Sequence, residues 1–312
     1  MRNERHWGAT LWLAGCLAWV ALAQSSALQS RLSEQEYENR IQSELDAGRL
    51  ASAQDLARRA VADYPRSASA YQLLGAVLFK SRDADSAREA FQRSLELDPK
   101  VGATYFDLAL VDLSQDKYAE AVGPLEDCLR LEPGNAEAHL LLGRADHNLN
   151  RTLPAIEQFK QALQLSPRLP SAHYHLGYAY QSQGDLTSAL DEYRKEIELN
   201  PRFYDAYWLA GEIELGRGRA AAAEPLFRRA IELKPQGRSG HYGLARVLQA
   251  ENHLSEAEAE LKTILQENPE DAEAHYTLAR VYQQMGRQAD AVREYRAVAT
   301  LHARTKASVP QP

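Results

Sequence analysis

From residue 34 onward the apolar positions of the chain follow two superposed periods. Within short runs they return every three or four residues, the buried stripe of an amphipathic helix. The runs themselves return on a longer spacing, marked by Pro65, Pro99, Pro133, Pro167, Pro201, Pro235 and Pro269, each 34 residues after the last. A fixed period of this length is the mark of stacked repeats, so it is read before any local motif. With proline placed at position thirty-two, eight units begin at Glu34, Ala68, Gly102, Ala136, Pro170, Tyr204, Arg238 and Ala272.

Position four of each unit is a ring: Tyr37, Tyr71, Tyr105, His139, His173, Tyr207, His241 and His275. Position seven is mostly Leu, and position eight is small in Gly75, Ala109, Gly143, Gly177, Gly211, Ala245 and Ala279. Positions four, seven, eight and eleven make one helical stripe. Position twenty is Ala in all eight units, and position twenty-four is large in Phe91, Leu125, Phe159, Tyr193, Phe227, Leu261 and Tyr295. Small residues at eight and twenty predict a close approach of two helices. Between the helices, position fifteen is Gly48, Arg82, Asp116, Asn150, Gly184, Gly218, Asn252 or Gly286. Seven of these eight are types that tolerate a left-handed backbone. Proline then stops the second helix, because it lacks an amide hydrogen and biases its predecessor away from helix.

The predicted fold is all-α: a solenoid of about eight antiparallel helix pairs over residues 34–305, preceded by a short linker at 24–33 and followed by a disordered tail at 306–312. Ser33 and Glu36 are placed to form a capping box on the first helix. Pro124 and Pro225, early in second helices, are expected to bend them. The last second helix is read as Gln288–His302, with Val292, Tyr295 and Ala299 on an outer face that no further helix covers. Weak self-association is expected there.

This pattern resembles the tetratricopeptide repeat, seen best in Tyr71, Leu74, Gly75, Leu78, Ala87, Phe91, Ser94 and Pro99. Departures fall at the ends, where Arg40 and Ile41 replace Leu-Gly and Ala303 replaces proline. The resemblance, to an exported bacterial type, implies a right-handed superhelix with first helices on the concave face. It further implies ligand contacts at positions two, five, nine, twelve and thirteen. Those positions supply Phe79, Phe106, Leu110 and Leu113 in early repeats. In later repeats they supply Arg144, His147, Tyr174, Tyr178, Trp208, Tyr242, Arg246, Tyr276 and Arg280. Aromatic and Arg side chains at such places give buried area and bidentate hydrogen bonds. A groove greasy in the early repeats and able to hold carboxylates in the later ones is therefore expected. The alternative for Phe106, Tyr174, Trp208, Tyr242 and Tyr276 is packing between neighbouring first helices. Chaperone-tail binders of the family carry Lys at position five and Asn at position nine, and neither occurs here.

The first residues change the picture of where the chain works. Arg2 and Arg5 precede an apolar run from Trp7 to Ala23 that ends Ala21-Leu22-Ala23 before Gln24-Ser25-Ser26, the shape of a secretory signal peptide at 1–23. Two alternatives stay open. The 17-residue run reaches the lower limit of a spanning anchor, and Leu13-Ala14-Gly15-Cys16 resembles a lipobox with Cys16 as the lipidated residue. All three deliver the rest of the chain across a membrane, so a periplasmic or secreted protein is expected, or one held to the membrane by its N-terminus.

Composition excludes several chemistries. The net charge is −7 with Lys and Arg scattered, which argues against nucleic acid, since phosphate binding needs a concentrated basic face. Cys128 stands where other repeats have Ala60, Ala162 and Ala230, so it reads as a small buried residue. His173 and His175 form H-x-H, yet His139, His173, His241 and His275 occupy the ring slot and read as packing rather than metal ligands. Glu256, Glu258 and Glu260 read as a solvated helix face. No nucleophile elbow, phosphate loop or H-E-x-x-H is present, and 24–33 and 304–312 are too short for a catalytic domain. The expectation is a non-enzymatic, cofactor-free scaffold that binds a peptide or helix of another protein in assembly of a cell-envelope complex. The alternative is an accessory subunit that regulates a periplasmic hydrolase or protease.

Overall fold

The computed structural model describes residues 31–308, with side chains as far as Arg304. The segment 1–23, Cys16 included, lies outside the described residues, as do most of the 24–33 linker and the last residues of the tail. Among the described residues there are sixteen helices and no strand. They are α1 (Glu34–Asp46), α2 (Leu50–Asp63), α3 (Ala68–Lys80), α4 (Ala84–Leu97), α5 (Gly102–Ser114), α6 (Tyr118–Leu131), α7 (Ala136–Asn148) and α8 (Thr152–Leu165). There follow α9 (Ala172–Gln183), α10 (Leu186–Leu199), α11 (Tyr204–Gly216), α12 (Ala220–Leu233), α13 (Arg238–Ala250), α14 (Leu254–Glu267), α15 (Ala272–Gln284) and α16 (Gln288–Ser308). Each repeat is thus one helix pair, as its residues predict.

Helix boundaries follow local chemistry. Seven first helices begin at the first residue of their unit. The exception is α9, where Pro170 opens the unit, Ser171 is left-handed at φ 62° and the helix waits until Ala172. At the start of α1, Ser33 Oγ accepts from the Glu36 amide at 3.2 Å and Glu36 Oε2 accepts from the Ser33 amide at 2.8 Å, the expected reciprocal cap. All eight residues at position fifteen have positive φ, between 56° and 87°, including Arg82 at 62°. The turn geometry is therefore imposed by the repeat even where the side chain disfavours it, at a cost of roughly 1–2 kcal/mol for a residue with a Cβ. The helices α6 and α12 continue through Pro124 and Pro225.

Two compact units divide the chain between Ala138 and His139. In the first, α1–α6 stack pair on pair around Tyr37, Ile41, Ala57, Val77, Leu78, Phe91 and Leu108. Each first helix there also touches the next one, α1 against α3 and α3 against α5. In the second unit the same succession runs to α16 around Phe159, Leu190, Tyr193, Phe227, Leu248, Leu261 and Tyr282.

The packing inside each pair is set by three positions. Every position-twenty alanine, from Ala53 to Ala291, is fully buried or nearly so. Position eight faces position twenty-four. A Cβ added to Gly75 would meet the Phe91 ring at 2.7 Å, to Gly143 the Phe159 ring at 2.6 Å, to Gly177 the Tyr193 ring at 2.8 Å and to Gly211 the Phe227 ring at 2.8 Å. Where position eight carries a methyl, position twenty-four shrinks to leucine in two units, Ala109 with Leu125 and Ala245 with Leu261, while the last unit keeps a ring, Ala279 with the half-buried Tyr295. The first repeat reverses the sizes, with Ile41 buried at position eight and Ala57 at twenty-four. The Arg40-Ile41 departure is thus half of a compensated exchange. Volume is shared across the pair, as close packing demands.

Two expectations for the C-terminal end are corrected. The last helix does not stop at His302 but runs to Ser308, into the segment read as tail. Ala303 stands where the other repeats have the proline that ends the helix, so nothing stops it there. Tyr295 is not on the outer face: it is half-buried, its hydroxyl donates to Gln283 Oε1 at 3.0 Å and its ring lies edge-on to Tyr276. Val292 and Ala299 are exposed as expected.

The paired volumes predict a specific rescue. Gly75→Ala should destabilise the chain by about 1–3 kcal/mol through overpacking against Phe91. Adding Phe91→Leu, which recreates the Ala109–Leu125 pairing, should recover part of that loss in urea denaturation. A double variant no more stable than Gly75→Ala would show that the two positions do not share one volume.

Candidate first-helix binding face

Position four does more than pack. His173 Nδ1 lies 2.6 Å from Glu192 Oε2, His241 Nδ1 2.5 Å from Glu260 Oε2 and His275 Nδ1 2.6 Å from Glu294 Oε2, while His139 Nδ1 lies 2.7 Å from Gln158 Oε1. Each partner sits at position twenty-three of the same unit, on the second helix. In three of these units the other ring nitrogen faces the carbonyl of the preceding proline: Pro167 at 3.3 Å, Pro235 at 2.8 Å and Pro269 at 3.0 Å. A ring between two acceptors satisfies both only when both nitrogens carry hydrogen. The Glu260 carboxylate and, more weakly, the Pro235 carbonyl raise the pKa of His241 against the opposing effect of burial.

This clamp was legible and missed. Position twenty-three is Gln158, Glu192, Glu260 or Glu294 in the histidine units, but Leu56, Ala90, Pro124 or Leu226 in the tyrosine units. The solvated acidic face is corrected accordingly. Only Glu256 of the trio is exposed; Glu260 binds His241, and Glu258 is buried, bonded to Lys262 at 2.6 Å, Arg287 at 2.8 Å and the Tyr282 hydroxyl at 3.0 Å.

With the pairs locked in this way, positions five and nine of the first helices share one face. In the second unit position five is Leu140, Tyr174, Trp208, Tyr242 and Tyr276, and position nine is Arg144, Tyr178, Glu212, Arg246 and Arg280. The position-five rings are held. Tyr174 contacts Phe203, Tyr178, Tyr193 and His175, and burial pushes its hydroxyl up to about 12. Trp208 donates its indole N–H to Asp205 at 2.8 Å and packs on the neighbouring core clusters. Tyr242 reaches Thr277 Oγ1 at 3.2 Å and has the guanidinium carbons of Arg238 and Arg246 at 4.9 and 5.7 Å from its ring centre. Tyr276 is the exception, 48% exposed, and at position nine Tyr178 is 42% exposed. Packing between neighbours thus accounts for Tyr174, Trp208 and Tyr242, but not for Tyr178 or Tyr276.

The charged members differ in the same way. Arg246 donates to Glu212 at 2.6 Å and Arg238 to Asp271 and Glu273 at 2.5 and 2.6 Å, so neither is free. Arg280 is exposed and makes no ion pair among the described residues. His147 lies edge-on to Tyr178 with its ring centre 5.2 Å away; burial lowers its pKa and leaves Nδ1 without a hydrogen bond among the described residues. Between these side chains lie two recesses. One, of about 390 Å³, is bounded by Tyr178, Trp208, Glu212, Tyr242 and Arg246. The other, of about 330 Å³, is bounded by Tyr242, Arg246, Gln249 and Arg280.

In the first unit positions five and nine are mixed, Glu38, Gln42, Gln72, Ala76, Phe106 and Leu110. The apolar residues predicted for the face, Phe79, Phe106, Leu110 and Leu113, are all half-buried, with Phe79 packed on the cluster of Leu78, Phe91 and Leu108. The first unit also holds the buried Cys128, whose thiol burial pushes up to about 11, as an inert thiol requires. His173 and His175 diverge: the first joins the Glu192 clamp, and the second stacks on Phe159 with its pKa lowered to about 4 by burial. Among the described residues no cluster of three His, Cys, Asp or Glu side chains is arranged to hold a metal ion, and no helix is long and apolar enough to cross a membrane.

Comparison with known proteins agrees with this architecture. Tetratricopeptide-repeat models match residues 38–101, 149–184, 174–238, 214–267 and 256–304, together well over half of the chain. The chain therefore belongs to the tetratricopeptide-repeat proteins. No curated protein matches it significantly. Among solved structures, MamA is 28% identical with a TM-score of 0.51, over 52% of this chain and 95% of its own. YrrB, described as a TPR protein with an unusual peptide-binding site, is 22% identical with a TM-score of 0.53, over 59% of this chain and 95% of its own. Pseudomonas aeruginosa PilF is 19% identical with a TM-score of 0.60, over 70% of this chain and 97% of its own. At such identities YrrB and PilF bear on the fold alone.

The clamp makes stability depend on pH. The folded pKa of His241 is raised above its ordinary value of 6.5, so its contribution is complete below pH 6.5 and is lost as pH rises through the folded value. The gap in melting temperature between the native chain and His241→Gln should shrink as pH is raised from 5.5 to 8.5. A constant gap would mean that the proton on His241 does not contribute.

Proposed function

We propose that the chain is a non-enzymatic scaffold whose first-helix face in the second unit holds a segment of another protein. The observation that carries this reading is the pair of tyrosines, Tyr178 and Tyr276, that the fold leaves exposed on a face of otherwise packed rings. An exposed large side chain at the edge of a recess, as Tyr178 is, marks an interaction surface. Tyrosine contributes there because its rigid ring buries much area at small entropic cost, with a hydroxyl to satisfy at the rim. The peptide-binding site named for YrrB, a structure of the same fold, is consistent with this use of the scaffold.

The setting we assign is outside the cytoplasm. Its support is the basic start, apolar run and Ala21-Leu22-Ala23 ending of residues 1–23, which read as an export signal or anchor. On that footing the partner belongs to a bacterial cell-envelope complex that the scaffold helps to assemble. Similarity to PilF extends only to the fold and does not name the complex.

The experiment is capture from solubilised envelope of the source cells by the native chain and by the double variant Tyr178→Ala/Tyr276→Ala. Both tyrosines are partly exposed, so helicity should be unchanged and the melting temperature should fall only slightly through the lost ring contacts. Loss of two aromatic anchors at about 2 kcal/mol each should weaken the specific partner more than tenfold. Equal capture by a folded variant would sink the reading, and recovery of a hydrolase rather than assembly components would transfer it to the regulatory alternative.

A further inference from the structure

We propose that the corner of the first-helix face formed by Arg144, His147, Tyr174, His175 and Tyr178 releases its occupant in acid, because protons taken up by the two imidazoles set three cations together beside the exposed tyrosine. The inference rests on the reading of the first-helix face as a protein-binding surface and adds the condition under which that surface lets go.

The second unit holds its histidines in two opposite ways. Those at position four are set between acceptors: His173 Nδ1 lies 2.6 Å from Glu192 Oε2, and its other ring nitrogen faces the Pro167 carbonyl at 3.3 Å. Two residues on, His175 is set among rings. It stacks on Phe159 with ring centres 5.8 Å apart and planes at 16°, and it meets Tyr174 edge-on at 5.0 Å. Its ring makes no hydrogen bond or ion pair among the described residues, and the charged groups that act on it are Arg144 and His147, both of them bases. His147 lies edge-on to Tyr178 at 5.2 Å, with Nδ1 buried and without a partner among the described residues. Tyr178 stacks in turn on Tyr174 at 6.2 Å. His147, Tyr178, Tyr174 and His175 thus form one chain of ring contacts. The carboxylates around it are engaged elsewhere: Asp146 with Arg151, Glu192 with His173 and Lys195, Glu196 with the Tyr174 amide and Asp205 with the Trp208 indole. An added proton therefore finds aromatic carbon and other cations, not a counter-charge, and a buried unpaired charge is costly.

The direction follows from linkage. Burial first, then Arg144 and His147, lower the pKa of His175 from its ordinary 6.5 to about 4, and burial lowers that of His147. A histidine whose folded pKa is depressed contributes stability that is complete above pH 6.5 and is lost as pH falls toward the folded value. This is opposite in sign to His241, whose raised pKa makes its clamp complete in acid. Acid therefore loosens the corner that presents Tyr174 and Tyr178 while the His241 clamp holds.

Leucine is the commonest residue at position six, in Leu73, Leu141 and Leu209, so His175→Leu removes the proton site without a foreign side chain. Amide-exchange protection of the full chain is compared at pH 7.5 and pH 5.0 for the native protein and this variant. Protection over α7 and α9 should fall on the order of tenfold to thirtyfold more in the native chain than in His175→Leu. An equal change in both, or no fall in the native chain, overturns the proposal. Should His175→Leu not fold, His147→Gln takes its place, with the residue that position twelve carries at Gln181, Gln249 and Gln283. Binding is read with peptides selected at pH 7.5 from a random dodecapeptide display and kept only where Tyr178→Ala releases them. Their affinity for the native chain should weaken at pH 5.0 by about tenfold or more, and for His175→Leu by clearly less. The same weakening for both overturns the release and leaves the binding face standing. If no selected peptide depends on Tyr178, the binding face fails and the release with it, whatever the exchange shows.

Discussion

The structure depends on how closely two antiparallel helices can approach within one repeat. Alanine at position twenty and a small residue at position eight bring the backbones together, and the ring or leucine at position twenty-four fills what remains. Because each pair closes on itself, the stack can extend by addition, each repeat contributing its own core and an interface to its neighbour. The first repeat shows that total volume is what matters: Ile41 and Ala57 exchange the usual sizes and the site stays filled. An account based on the preferred residue at each position would score that unit as defective, whereas the packing shows it to be complete.

Polar ties act on top of this packing and join what packing alone leaves free to slide. The position-four histidines bind the second helix of their own unit through Glu192, Glu260 and Glu294 and the end of the previous unit through a proline carbonyl. Buried acids at position eleven do similar work between units. Glu214 receives Arg194 from the preceding second helix at 2.7 Å and Arg219 at 2.5 Å, and Asp112 is paired with Arg88. A buried carboxylate is costly unless paired, so these contacts fix register more than they add stability. At Pro167, Pro201, Pro235 and Pro269 the proline therefore has two uses: it stops the second helix, and its carbonyl accepts from the ring of the next unit.

Periodicity made most of the fold legible, since a side chain that recurs in phase reports a shared environment. The all-alanine column at position twenty and the turn at position fifteen were readable because only small residues, or residues tolerant of positive φ, fit there. Arg82 shows the limit of that reading: the backbone adopts φ 62° without the favourable side chain, because seven like turns surround it in the same architecture. The C-terminal end was misread because the missing proline at Ala303 was treated as divergence, not as removal of a stop. At the candidate face, Trp208, Tyr242 and Arg246 line one recess and Tyr242, Arg246 and Arg280 the next, but sequence could not show that Arg246 is already paired with Glu212. The histidine–carboxylate ties were hidden because they appear only when positions four and twenty-three are compared across units, not along one helix.

The division of labour on the first helices explains how one fold can acquire a specific surface without losing stability. Positions five and nine lie one turn apart on the same side, yet the structure treats them differently. Tyr174, Trp208 and Tyr242 at position five are engaged by neighbouring units, whereas at position nine Tyr178, edge-on to His147 of the preceding repeat, and Arg280 remain exposed. Tyr276 is exposed at position five, with no following first helix among the described residues to cover it. Changes at position nine therefore alter what the face recognises at little cost to packing, and changes at position five alter both. Arg246 stands between these cases: its tie to Glu212, the position-nine residue of the previous unit, makes recognition chemistry in one repeat depend on its neighbour. The face is accordingly a property of consecutive repeats rather than of any single one, and a segment bound along it reads their order.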